Sequence, residues 1–151
     1  MMQVVILIGV QATGKSTFFK ERFADTHIRM NLDMLKTRHR EKLILEACLQ
    51  AGQSFVVDNT NLTVENRLRY IIPAKEAKFE VIGYYFESRV AAALQRNQQR
   101  MGMARIPVAG VRAAYHKLQI PSFNEGVAKL YVVKIDPQGS FLVEERHDDS
   151  N

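Results

Sequence analysis

The chain has a single cysteine, Cys48, among 151 residues. One thiol excludes an internal disulfide and a cysteine-built metal site, and it suits a reducing cytoplasm. The histidines His27, His39, His116 and His147 are scattered, with no zinc-ligand spacing among them. No apolar run reaches the length of a membrane-crossing helix, so no contact with a membrane is expected. The run from Val4 to Ile8 is too short for a secretory leader, and no basic stretch precedes it. There is no internal repeat, no low-complexity tract and no linker rich in Pro, Gly or Ser. One domain over residues 1–146 with a frayed tail over 147–151 is therefore expected.

What is present is ordinary globular composition, with 46% hydrophobic and 25% charged residues. That much apolar surface can pack a core and excludes wholesale disorder. Lys plus Arg number 21 against 16 Asp plus Glu, a net charge of +5 and a pI near 9.5. The excess suits an anionic partner such as a nucleotide or a nucleic acid, or is simply a solvated surface.

Apolar runs and amphipathic segments alternate along the chain. Val4 to Ile8 is continuous and β-branched, which predicts a buried strand. A helix is expected over 15–24, a short strand at Ile28 to Met30, and a long helix over 34–51. The second half of that helix groups Leu43, Ile44, Ala47, Cys48 and Ala51 on one face, with Gly52 as its C-cap. Phe55-Val56-Val57 predicts a strand ending at Asp58. A helix follows from Val64, and Pro73 should kink or end it. A strand over 81–86 leads to a helix capped by Ser88 and reaching Arg100. Pro107 opens a helix to Leu118, and a strand over 130–135 closes the series. Strands alternating with helices predict an α/β fold with a parallel sheet of about five strands and helices on both faces. In such sheets ligands lie beyond the carboxyl ends of the strands.

Directly after the first strand comes Gly9-Val10-Gln11-Ala12-Thr13-Gly14-Lys15-Ser16, then Thr17. The stretch fits the phosphate-loop pattern G-x-x-x-x-G-K-[ST] between a strand and a helix. Glycines let backbone N–H groups converge on phosphate oxygens, and the following helix adds the positive end of its dipole. Lys15 would neutralise phosphate charge, and the Ser16 hydroxyl would hold Mg²⁺. The plainer alternative is a chance glycine turn. Ala12 stands where related loops often carry glycine.

Asp33 follows the second strand. There a carboxylate can orient a hydroxyl nucleophile and accept its proton, or it can simply cap a helix. Asp58 follows the third strand, as a Walker-B-type metal carboxylate does, within the polar cluster Asp58-Asn59-Thr60-Asn61. The alternative for that cluster is a turn. Lys36, Arg38, His39, Arg40 and Lys42 crowd the start of the long helix. They suit an acceptor's phosphates or form a solvated face, and Arg67 and Arg69 leave the same choice. Arg96 and Arg100 are four apart and share a helix face, before a stretch over 101–105 that reads as a lid. There they would reach a transferring phosphoryl group or lie on the surface.

In this order and spacing the motifs resemble the polynucleotide kinase family of P-loop phosphotransferases. The resemblance spans Val4 to Ile135. Its distinctive parts are Asp33, the stretch Val57-Asp58-Asn59-Thr60-Asn61-Leu62, Arg96-Asn97 with Arg100, Ile106-Pro107, and the stretch from Tyr115 to Gly126. It implies a P-loop NTPase-like sheet with a helical lid. It also implies an ATP- and Mg²⁺-dependent kinase acting on the 5′-OH of a polynucleotide end. Asp33 would be the general base, Lys15 and Ser16 would meet ATP and Mg²⁺, Asp58 would stand near the metal, and Arg96 and Arg100 would be lid arginines. Gly9, Gln11, Ala12, Thr13, Gly14 and Thr17 complete the nucleotide site, and Lys36, Arg38, Asp58 and Asn61 the acceptor side. Family members often place arginine three residues after the base. Here Lys36 keeps the charge but loses the bidentate geometry, which leaves a small-molecule acceptor as the alternative. The chain has no room for the phosphatase or ligase modules of many such kinases and resembles a stand-alone kinase domain. A nucleotide-binding switch without phosphotransfer is the third reading.

Overall fold

The computed structural model describes residues 2–87 and 108–148. Among the described residues six strands form one sheet: β1 (Gln3–Ile8), β2 (Ile28–Met30), β3 (Phe55–Val57), β4 (Glu80–Phe86), β5 (Lys129–Ile135) and β6 (Phe141–Arg146). Their order is β2-β3-β1-β4-β5-β6, with the first five parallel and β6 antiparallel to β5. The helices are α1 (Lys15–Arg22), α2 (Leu32–Leu35), α3 (Arg38–Ala51), α4 (Val64–Glu76) and α5 (Val108–Lys117).

The central strand explains the layering. Its residues Val4 to Ile8 are at most 1% exposed, each burial contributing roughly 1.5–3 kcal/mol. Successive side chains point to opposite faces. Val4, Ile6 and Ile8 pack with Leu45 and Cys48 of α3 and Tyr70, Ile71 and Ala74 of α4. Val5 and Leu7 pack with Phe18 and Phe19 of α1. Helices thus cover both faces, as the sequence predicts. Among the described residues no helix is long and apolar enough to cross a membrane.

A sixth strand extends the sheet, because residues 136–140 form a tight turn. Asp136 Oδ1 accepts from the backbone N–H of Gln138 at 2.9 Å and of Ser140 at 2.8 Å, and Ile135 then pairs with Phe141. Three expectations need correction. The long helix is two helices. Lys36 sits at φ 75° after α2, and Thr37 caps α3 by accepting from Arg40 N–H at 3.1 Å. The buried face of α3 is Glu41, Leu45 and Cys48, whereas Leu43 and Ile44 are exposed. The buried carboxylate of Glu41, held by polar partners, turns the helix away from the face that its apolar residues alone suggest. Pro73 does not end α4, which runs to Glu76 with Tyr70, Ile71 and Ala74 anchored in the core on either side of the proline. The predicted helix from Ser88, the lid, and Arg96, Asn97 and Arg100 lie outside the described residues.

Candidate active site

The carboxyl ends of β1, β2 and β3 open onto one cleft of about 510 Å³, lined by residues 11–17 together with Asn31, Leu32, Asp33, Asp58, Asn59 and Thr60. A larger cavity of about 770 Å³ lies against β4 and β5 and is lined by Tyr85, Ile120 and Phe123, among others. It contains none of the phosphate-loop groups, which makes the smaller cleft the candidate site.

The loop wraps tightly between β1 and α1. Gly9 donates its N–H to the Thr60 carbonyl at 2.9 Å, and a Cβ on it would come within 3.0 Å of Phe86 Cβ. Gly14, at φ 93°, precedes α1, and no side chain caps that helix. The N-terminus of α1, which lines the cleft, therefore offers the positive end of its helix dipole to an anion. A Cβ on Gly14 would meet Phe141 at 3.0 Å, so the β5–β6 hairpin packs against the back of the loop. Lys15 is buried and donates from Nζ to the carbonyls of Gly9 at 2.9 Å and Val10 at 2.8 Å. Thr13 Oγ1 donates to the Val10 carbonyl at 2.9 Å and braces the turn. Ala12 holds φ 63°, a left-handed conformation that fits the glycine often found there. Gln11 Oε1 is buried without a hydrogen-bond partner.

Behind the loop, Ser16 Oγ donates to Asp58 Oδ2 at 3.0 Å, which joins the start of α1 to the end of β3. Arg29 of β2 donates from Nε to the same oxygen at 2.8 Å and from Nη2 to Ser16 Oγ at 3.1 Å. A hydroxyl and a carboxylate this close, both hard oxygen donors, match a Mg²⁺ ion that keeps waters and phosphate oxygens in its shell. Asn31 Nδ2 donates to the Asp58 carbonyl at 2.5 Å, and Asn59 Oδ1 accepts from Leu32 N–H at 2.9 Å. The two asparagines thus tie the start of α2 to the end of β3.

Asn31 also caps α2, its Oδ1 accepting from Met34 N–H at 3.0 Å. The capping role that competed for Asp33 is therefore filled by Asn31. Asp33 sits in the first turn, exposed and lining the cleft.

Several expected acceptor residues lie elsewhere. Asn61 is buried beneath the cleft, where its Nδ2 donates to the carbonyls of Leu7 at 2.8 Å, Asn59 at 3.3 Å and Val57 at 3.4 Å. That contact set ties strands and loop together and leaves its amide no path to an acceptor. Arg38 donates from Nη1 to Glu41 Oε1 at 2.8 Å and to Tyr70 Oη at 3.0 Å. Tyr70 Oη donates to Glu41 Oε2 at 3.0 Å, and Asn59 Nδ2 reaches both groups. Burial, reinforced by the Glu41 carboxylate, pushes the Tyr70 hydroxyl above its usual pKa and keeps it a donor. Arg67 is sealed rather than surface-borne. Its guanidinium clamps Glu125 at 2.5 and 3.0 Å and donates to the Asn61 and Leu62 carbonyls at 2.8 and 3.1 Å. Lys36, His39 and Arg40 are exposed outside the cleft lining.

Sequence reasoning missed Arg29, Asn31 and Glu41. A polar residue inside a short strand and polar residues bracketing Asp33 were the available signals.

Together these features define a P-loop fold of the kinase type. A family model described as an AAA domain matches residues 4–119, and the chain belongs to that family. The bifunctional polynucleotide phosphatase/kinase of Schizosaccharomyces pombe is 30% identical over 129 residues, 82% of this chain and 31% of that protein. The chain thus spans about a third of that relative, and the resemblance to the polynucleotide kinase family holds. Among solved structures, a gluconokinase from Sinorhizobium meliloti 1021 superposes with TM-score 0.61 at 15% identity, over 87% of this chain and 82% of that one. The AvrRxo1-ORF1:-ORF2 structure with ATP gives TM-score 0.67 at 14% identity, over 95% of this chain and 57% of that one. At such identities the likeness is one of fold.

Proposed function

We propose that the chain is an ATP- and Mg²⁺-dependent kinase that transfers the γ-phosphoryl group to the 5′-OH end of a polynucleotide. The observation that carries this reading is the single cleft joining the uncapped N-terminus of α1 and Lys15 to the Asp33 carboxylate. In it Asp33 accepts the proton as the acceptor hydroxyl oxygen bonds to the γ-phosphorus, and the bond to the departing ADP oxygen breaks in line. Lys15 leaves the Gly9 and Val10 carbonyls to neutralise the phosphates, alongside the N–H groups at residues 14–17. Ser16 and Asp58 would hold the metal, which would supply charge neutralisation at the phosphates. Gly9, Gln11, Ala12, Thr13 and Thr17 complete the cradle, Lys36, exposed outside the cleft lining, meets a phosphate of a strand that extends beyond the cleft, and Arg96 and Arg100 stabilise the transferring charge. The lone thiol agrees with a cytoplasmic setting.

The polynucleotide acceptor draws its support from the Schizosaccharomyces pombe relative and from the exposed cations at the α2–α3 junction. The test is transfer from γ-labelled ATP with Mg²⁺ to 5′-OH RNA and DNA oligonucleotides, beside a panel of nucleosides and sugars. The expected result is labelled oligonucleotide 5′ ends, with Asp33→Asn lowering the rate by about 10²- to 10⁴-fold while ATP binding survives. Label only on a small molecule moves the protein to a small-molecule kinase. ATP binding without any labelled acceptor makes it a nucleotide switch.

A further inference from the structure

The Arg29 guanidinium bridges the two groups assigned above to the metal. Its Nε lies 2.8 Å from Asp58 Oδ2 and its Nη2 3.1 Å from Ser16 Oγ, while Ser16 Oγ lies 3.0 Å from Asp58 Oδ2. The Asp58 side chain is 2% exposed and that of Arg29 26%. The guanidinium also stands 5.9 Å from the centroid of the Phe19 ring, which helps to hold it over the start of α1.

A buried carboxylate needs a positive partner, and Arg29 supplies one. A divalent cation on Ser16 and Asp58 would supply a second at the same place. Two cations at one carboxylate oxygen repel each other, and the Arg29 Nη2 contact takes one of the two lone pairs of the Ser16 hydroxyl. Phosphates entering with the metal bring the negative charge that shifts this balance.

We propose that Arg29 is the resident counter-ion of Asp58 and sets the metal affinity of the cleft. It holds off free divalent cation and yields Asp58 Oδ2 and Ser16 Oγ when the cation arrives with nucleotide phosphates. The site therefore takes metal and nucleotide as a unit. This rests on the reading of Ser16 and Asp58 as the metal-side groups. The phosphate-loop motif itself does not call for Arg29, which is contributed by β2 from outside the loop.

The test compares Arg29→Gln, Arg29→Lys and the parent protein by fluorescent ADP binding across a Mg²⁺ titration, with thermal unfolding in EDTA alongside. Arg29→Gln is expected to lower the Mg²⁺ concentration for half-maximal ADP binding by about two- to fivefold, the scale of a partly screened charge interaction. Arg29→Lys should fall between the two, because an ammonium can pair with Asp58 but cannot span to Ser16 as a guanidinium fork does. In EDTA, Arg29→Gln should unfold at a lower temperature than the parent. A Mg²⁺ half-point unchanged or raised in both variants overturns the proposal, and a lower unfolding temperature alone would mark a purely structural pair. Absence of ADP binding by the parent at every Mg²⁺ concentration overturns it together with the nucleotide reading. No acceptor enters this measurement, so a parent that binds ADP but transfers nothing defeats only the kinase assignment.

Discussion

The pairs Arg67–Glu125 and Arg29–Asp58 each set an arginine on a buried carboxylate, and of these two only Arg29–Asp58 opens onto the cleft. Arg67 and Glu125 are 1% and 5% exposed, joined by two hydrogen bonds, with Arg67 Nη1 donating to two backbone carbonyls. They lock α4 to the short 3₁₀ turn Phe123–Glu125. Arg29 and Asp58 have the same charges, but Arg29 is 26% exposed and the pair shares its carboxylate oxygen with Ser16 at the cleft. The difference is solvent and phosphate access. A pair sealed from solvent on both sides can only hold elements together, whereas a pair with an open side can exchange partners.

Breaking the sealed pair should have the largest effect. Arg67→Met leaves Glu125 buried and unpaired, at a cost of about 3–5 kcal/mol, and lowers Tm by roughly 10 °C. Adding Glu125→Gln removes the stranded charge and should restore part of that loss, giving a favourable coupling in a double-mutant cycle. Urea and thermal unfolding check both, and an Arg67→Met loss below about 1 kcal/mol would erase the distinction between the pairs. The open pair should behave in the opposite sense. Asp58→Asn is nearly isosteric and keeps an acceptor for Ser16, so Tm should move little. Mg²⁺-dependent ADP binding should weaken on the order of 10- to 100-fold. A large fall in Tm with unchanged Mg²⁺ dependence would make Asp58 a second sealed strut.

How far the sequence reveals this contrast depends on the residue type. The strand from Val4, the loop over residues 9–16 and the strand ending at Asp58 were legible, because continuous apolar runs followed by glycine or Asp read the same way locally as in the fold. Arg67, Glu41 and Arg29 were not, since a charged residue reads as surface until its partner is known. The partners of Arg67 and Arg29 lie 58 and 29 residues away along the chain. Glu41 also misplaced the buried face of α3, which followed the network of Arg38, Tyr70 and Asn59 rather than Leu43 and Ile44. The hairpin to β6 did carry a signal in Asp136-Pro137-Gln138-Gly139-Ser140, a turn composition. The following strand is largely exposed, which hid its pairing.

The smallest expected effect lies within the loop that the open pair supports. Ala12 at φ 63° costs about 1–2 kcal/mol relative to glycine in that conformation. Glycine in turn adds about 0.4–1 kcal/mol of unfolded-chain freedom. Ala12→Gly should therefore stabilise the protein by a net of roughly 0.5 kcal/mol, raising Tm by about 1–2 °C. The same change frees a loop whose N–H groups must converge on phosphate, so ADP binding should weaken by about twofold through lost preorganisation. Calorimetric unfolding and ADP titration on one preparation read the two quantities together. Opposite signs in stability and affinity would show that the loop holds its left-handed turn at a local cost in stability. A fall in both would mean that Ala12 is not strained, and that the cleft side of the molecule is as fully settled as the sealed Arg67–Glu125 side.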